Sequence, residues 1–213
     1  MTRLLLVRHG QTTSNLAGRV QGHSESDLTE LGVAQARSTA DALRDRGIER
    51  MYSSDLGRAQ RTAGIIGARL GLESVLDPRL REVCFGGLEG RTWAELDTHF
   101  RDAEARGEGN WFTHVPPGPG GESRQGMQRR AVDTLTSICR RHPEQTVLVV
   151  SHGGFIGFFM RWVLGVQSKE RYAGFRTPNC AIHTFEWREK AFHLLTWAER
   201  AHLDGGLFRE HQG

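Results

Sequence analysis

Two stretches of this sequence run from a short apolar segment straight into an imidazole. Leu4 to Val7 is followed by Arg8, His9 and Gly10, and Val147 to Val150 by Ser151, His152, Gly153 and Gly154. Two more reactive groups stand near other strand-like segments, Arg58 in "YSSDLGRAQRTA" and Glu82 in "LREVCFGGLEG". The chemistry open to such a set is narrow. Paired guanidiniums grip the oxygens of a phosphoryl group in a planar, forked way that an ammonium cannot match. One imidazole can act as a nucleophile, and a carboxylic acid can protonate a leaving oxygen.

For these groups to meet, the elements that carry them must end at one place. The segment "LTELGVAQARSTADALRDRG" predicts a helix with Thr29 as N-cap and Gly47 as its stop, and "IERMYSSD" a strand. The next helix, "DLGRAQRTAGIIGARLG", is expected to be capped by Ser54 or Asp55 and stopped by Gly71, with Arg58 in its first turn. A short strand near 73–76 precedes Glu82. Ser123 is expected to cap the helix "RQGMQRRAVDTLTSICRRH". After the apolar run at 147–150 come a helix over about 154–164 and strands near 181–187 and 192–197. Strands that alternate with helices imply an α/β fold, a three-layer sandwich around a mostly parallel sheet. Ligands of such sheets bind beyond the carboxyl ends of the strands. The amides at the following helix starts favour an anion there. Residues 86–122, rich in Gly, Trp and charge and closing on "PPGPGGES", read as a cap-like insertion within a single domain spanning 1–213.

The composition sets further bounds. With 213 residues the chain can build a full core without metal or disulfide support. The 28 basic residues against 25 acidic ones are scattered, so no nucleic-acid partner is expected. Cys84, Cys139 and Cys180 are odd in number and widely spaced, which speaks against a disulfide framework and fits a cytoplasmic location. The amino-terminal "TRLLLV" is too short for a signal segment. No stretch approaches the ~20 apolar residues that a membrane-spanning helix needs.

"LLLVRHGQTTSN", "YSSDLGRAQRTA", "LREVCFGGLEG", "GGES" and "VLVVSHGG", in this order, resemble the histidine phosphatase superfamily, the phosphoglycerate-mutase-like clan. The resemblance covers almost the whole chain and points to its small cofactor-independent phosphatases, of the broad-specificity, α-ribazole and glucosyl-phosphoglycerate types. It implies that His9 is phosphorylated, that Arg8 and Arg58 clamp the phosphoryl group, and that His152 hydrogen-bonds it. Glu82 would protonate the leaving alkoxide and then serve as the base for water, with Glu89 the next candidate. Asn15 and Gln21 match secondary phosphate contacts, and Gly22 lets the backbone come close. No metal and no cofactor are implied. The expected partner is a small phosphate ester, with a homodimer left open.

Other readings compete. A phosphoglycerate mutase uses the same central residues, although that branch usually carries a longer insertion. A metal-dependent hydrolase could take His9, His152 and Glu82 as ligands, but two arginines aimed at the same site would repel the cation. An inactive binding protein would be expected to lack part of the set. Among the other histidines, His23 and His114 could reach the pocket rim, whereas the rest, His211 included, read as surface. Trp93, Phe100, Trp111 and Phe112 read as local packing.

Overall fold

The computed structural model describes residues 1–166 and 175–207. Among these, the order of elements is β1 (Thr2–Arg8), α1 (Thr13–Leu16), α2 (Glu30–Leu43), β2 (Arg50–Ser53), α3 (Gly57–Leu70) and β3 (Ser74–Leu76), then α4 (Trp93–Ala105), α5 (Arg124–Arg141), β4 (Thr146–Ser151), α6 (Gly153–Val163), β5 (Ile182–Arg188) and β6 (Ala191–Glu199). The six strands form one sheet in the order β3-β2-β4-β1-β5-β6. The first four of these run parallel, and β5 and β6 close one side as an antiparallel hairpin. This is the expected α/β architecture, with a mostly parallel central sheet.

Alternation along β1 builds the layers. Leu5 and Val7 face α2 and α3 and pack with Ala40, Leu43, Ala59, Ala63 and Ile66. Leu4 and Leu6 face the opposite side and join Leu135, Ile138, Phe155 and Phe159 of α5 and α6. Both faces of β1 and β4 are therefore covered, and this is why their sequences are continuous apolar runs.

Local signals mostly act where they stand in the sequence. Thr29 and Ser123 cap α2 and α5 by accepting from Gly32 N and Gly126 N. Gly71 ends α3 in the left-handed region at φ 69°. Two expectations shift. α2 stops at Leu43, short of Gly47. α3 starts from Leu56 as N-cap without a side-chain cap, and Ser54 Oγ, two residues earlier, accepts from Leu56 N at 3.3 Å and meets His152 Nε2.

The expected insertion contains α4, opened by a capping box between Thr92 and Glu95. Leu96 and Phe100 on its inner face are buried in the same core as α5 and α6. The two ends of the segment are tied together, with Gly87 N donating to Pro117 O at 2.7 Å and Glu122 N to Cys84 O at 2.9 Å.

α2 comes very close to the loop after β1. A Cβ on Gly32 would lie 2.1 Å from Gln11 O, and one on Gly10 would lie 2.5 Å from Gly32 O. The atoms in the way are backbone, so they cannot swing aside. Gly32→Ala is expected to lower stability by ~1–3 kcal/mol, the usual range for overpacking. Urea unfolding reads this directly, and an unchanged midpoint would mean that the loop yields without strain.

Candidate active site

β1 and β4 are parallel neighbours in register, with Arg8 opposite Ser151. The next residues, His9 and His152, must therefore emerge side by side, and their ring centroids are 5.2 Å apart. β2 lies on the other side of β4, with Ser53 opposite Val150, so the turn into α3 opens at the same sheet edge. That turn delivers Arg58. Arg8, His9, Asn15, Gln21, Gly22, Arg58 and Glu82 together line a cavity of about 200 Å³.

His9 is almost fully buried. Its Nδ1–H donates to Gly10 O at 2.8 Å, which leaves Nε2 as the unprotonated, accepting nitrogen. Arg58 Nε approaches that atom at 3.3 Å. Burial, then the charges of Arg58 and Arg8, hold the His9 pKa well below the usual histidine value. The ring is thus a neutral base with a fixed tautomer.

The two arginines are anchored by carbonyls. Arg8 Nη1 donates to Thr177 O at 2.7 Å, while its enclosed Nε has no partner. Arg58 donates to Gly22 O at 2.7 Å and to Ser24 O at 3.1 Å. Neither is in an ion pair among the described residues. Desolvation lowers the pKa of both, that of Arg58 to about 10, and the charge that most opposes this is Glu82 in each case. Gly22 stands in the left-handed region at φ 58° and packs so closely on Glu89 that a Cβ would fall 2.0 Å from Oε1.

Glu82 lies against the start of α6, accepting from Gly154 N at 2.9 Å and from Phe155 N and its own neighbour Val83 N at 3.1 and 3.0 Å. A carboxylate at a helix N-terminus is electrostatically favoured. Its main chain is gripped as well: His23 Nε2 donates to Glu82 O at 2.8 Å, and Arg130 reaches Arg79 O, Arg81 O and Glu82 O. Glu89 is a tie within the loops, receiving His23 N and Phe85 N.

His152 is placed differently from the other residues. It is fully buried beside His9 and is not part of the cavity wall. Its Nε2 is 2.8 Å from Ser54 Oγ, and its Nδ1 is enclosed without a partner. Burial, then Arg58, holds its pKa well below the histidine norm. Ser54, read from the sequence as a helix cap, is instead the partner of this ring.

The sequence reading also missed part of the wall. Phe85, Trp93, Gly153, Gly154 and Thr177 line the cavity. Trp93, expected to be local packing, is 51% exposed and meets Phe85 edge to face. Phe100, Phe112 and the half-buried Trp111 do pack locally. His23 reaches the site through Glu82 O, whereas His114 pairs with His99 at 3.2 Å, away from the cavity. His211 lies outside the described residues. Cys84, Cys139 and Cys180 are free and buried, and burial pushes the last two up to about 12. No described helix is long and apolar enough to cross a membrane.

These buried neutral rings have a consequence for stability. His183, also buried, is pushed down to about 3, chiefly by desolvation. Below about pH 6.5 the unfolded chain protonates all three of His9, His152 and His183, while the folded chain holds them neutral. Their contribution is intact above that pH and is lost as pH falls toward the folded values, at roughly 1 kcal/mol per pH unit for each ring. Urea unfolding at pH 7, 6 and 5 should show the decline, and His183→Gln should make it shallower. A slope that His183→Gln leaves unchanged would mean that this ring is protonated in the folded protein.

Comparison with known proteins agrees with the geometry. A model of the histidine phosphatase superfamily (branch 1) matches residues 4–200. A probable phosphoglycerate mutase of Yersinia pestis (strain Pestoides F) is 36% identical over 215 residues, covering 96% of both chains. The structure of a mycobacterial glucosyl-3-phosphoglycerate phosphatase with VO3 shares 31% identity and a TM-score of 0.78, over 92% of this chain and 98% of that one. A phosphoserine phosphatase from Entamoeba histolytica, solved with 3-phosphoglyceric acid, shares 30% identity and a TM-score of 0.81, over 95% and 100%. The chain that brings Arg8, His9 and Arg58 to one sheet edge belongs to the histidine phosphatase superfamily, branch 1.

Proposed function

We propose that the protein is a phosphomonoesterase that works through a phosphohistidine on His9. The observation that carries this reading is the unprotonated Nε2 of a neutral, tautomer-locked imidazole, held by Arg58 Nε and set among two guanidiniums that lack an ionic partner among the described residues. Arg8 and Arg58 take the phosphoryl oxygens, with Asn15, Gln21 and the Gly22 loop as further contacts. His9 Nε2 attacks phosphorus while the P–O bond to the leaving group breaks, and the departing alkoxide takes a proton from Glu82. Glu82, now the anion that its three amide donors suit, accepts a proton from water as that water attacks the N–P bond. Phosphate leaves, and His9 is neutral again. His152, behind His9 and off the cavity wall, is assigned the support of that ring rather than a contact to the phosphoryl group. No step needs a metal.

The mutase reading draws on the Yersinia relative. A mutase must also hold the carboxylate of its substrate. Among the described residues lining the cavity, Arg8 and Arg58 are the only arginines, and both are committed to the phosphoryl group. Phe85 and Trp93 give the cavity an aromatic stretch of wall, which we assign to the leaving group. This favours hydrolysis of small to medium phosphate esters. If 3-phosphoglycerate with a trace of the bisphosphate were isomerised faster than phosphate was released, the mutase reading would win.

Three sets of measurements test the mechanism. His9→Ala should abolish turnover of p-nitrophenyl phosphate while the circular dichroism spectrum stays native. In the wild type, rapid quench should trap an acid-labile, alkali-stable label on His9, with activity unaffected by chelator and inhibited by vanadate. Label on another residue, or activity that chelator removes and zinc restores, would refute the scheme. Glu82→Gln should slow alkyl phosphates more than p-nitrophenyl phosphate, whose leaving group departs without a proton. The gap should be ~10²–10⁴-fold, the usual range for general acid catalysis, and equal losses would place the acid elsewhere.

A further inference from the structure

Asn15 and Gln21 are neutral amides on the wall of a site built for an anion. A carboxamide helps an anion only with its NH2 end; turned around, it presents an oxygen and repels. The hydrogen bonds behind the wall fix which end faces the cavity.

Thr12 is fully buried and takes part in three of these bonds. Its backbone N donates to Asn15 Oδ1 at 3.3 Å. Its hydroxyl accepts from Asn15 N at 3.1 Å, so its one proton is free to go to Gln21 Oε1, at 3.0 Å. Asn179, far away in sequence, completes the set. One Nδ2 hydrogen goes to His9 O at 2.9 Å and the other to Asn15 Oδ1 at 3.3 Å. Both amide oxygens are thereby occupied from behind. Neither NH2 group has a protein acceptor among the described residues.

We propose that Thr12 and Asn179 are positioning residues that lock the Asn15 and Gln21 amides with their NH2 groups turned to the substrate's phosphoryl oxygens. The proposal rests on the phosphatase reading of the cavity. It assigns Thr12 a role beyond capping the four-residue α1, because the same hydroxyl that receives Asn15 N also sets the rotamer of Gln21. Asn179 acts on one amide only and ties it to the carbonyl of the nucleophile.

The test is a set of double-mutant cycles read by vanadate and inorganic phosphate inhibition of p-nitrophenyl phosphate turnover. Thr12→Val keeps the shape and deletes the hydroxyl. It should raise both inhibition constants roughly 10- to 100-fold, the range for losing hydrogen bonds to a charged group. Thr12→Ser should restore binding. In an Asn15→Ala/Gln21→Ala background, Thr12→Val should add little, since the groups it positions are gone. Asn179→Ala should likewise add little to Asn15→Ala but keep its full effect on Gln21→Ala, and it serves alone if Thr12→Val fails to fold by circular dichroism. Full additivity of Thr12→Val or Asn179→Ala with the amide deletions overturns the positioning role. If instead the Asn15→Ala/Gln21→Ala protein binds vanadate like the wild type, the amides do not contact phosphate, and the proposal falls with that part of the reading.

Discussion

The charge of Arg8 and Arg58, enclosed around the neutral ring of His9, is the constraint to which the rest of the structure answers. Taking a guanidinium out of water is expensive unless a counter-charge is near. Here the partners are mostly carbonyls, those of Thr177, Gly22 and Ser24, with Glu82 as the principal opposing charge. Carbonyl dipoles hold the side chains in place but neutralise them only in part. In the proposed function a phosphoryl dianion would supply what is missing. Burial first, and the charges of Arg58 and Arg8 next, keep His9 unprotonated, so in the proposed mechanism the groups that bind the substrate also help to maintain the nucleophile.

Such a cluster can exist only on a scaffold that does not yield. The parallel pairing of β1 with β4 and of β4 with β2 fixes three chain exits at one edge. The close backbone approach of Gly10 and Gly32 sets the loop after His9 against α2. Glu82 follows no long strand, and its position is set from outside by Arg130, His23 and the first amides of α6. Arg130 itself is held by both oxygens of Glu122, so the acid is braced by the helix that comes after the insertion.

Much of this was legible in the sequence because it depends on short-range rules. Apolar runs that stop at Arg8–His9 and Ser151–His152 mark strand ends, and Thr29, Gly71 and Ser123 punctuate helices as their chemistry requires. What was not legible depends on side chains that meet across long separations. Nothing near Ser54 in the chain shows that its hydroxyl belongs to His152. Thr12 looks like one more loop threonine until Asn179 and Gln21 are seen around it. The four aromatics of the insertion look alike in sequence. In space, Phe100 and Leu96 follow one stripe of α4 into the core, and Trp93 continues it at the helix start, where the core gives way to the cavity.

The ties at the two ends of the insertion bear on how its length can vary. Gly87 is clasped to Pro117, and Cys84 to Glu122, so the chain leaves and rejoins the scaffold at nearly the same point. The segment between leaves and rejoins the scaffold here, while Glu89 within it stays coupled to Glu82 through His23. The entropic cost of lengthening such a loop grows only slowly. Residues between these ties can therefore change in number at little cost to the points where the chain joins the scaffold, which makes 91–116 the stretch where a different wall for the cavity is most readily built.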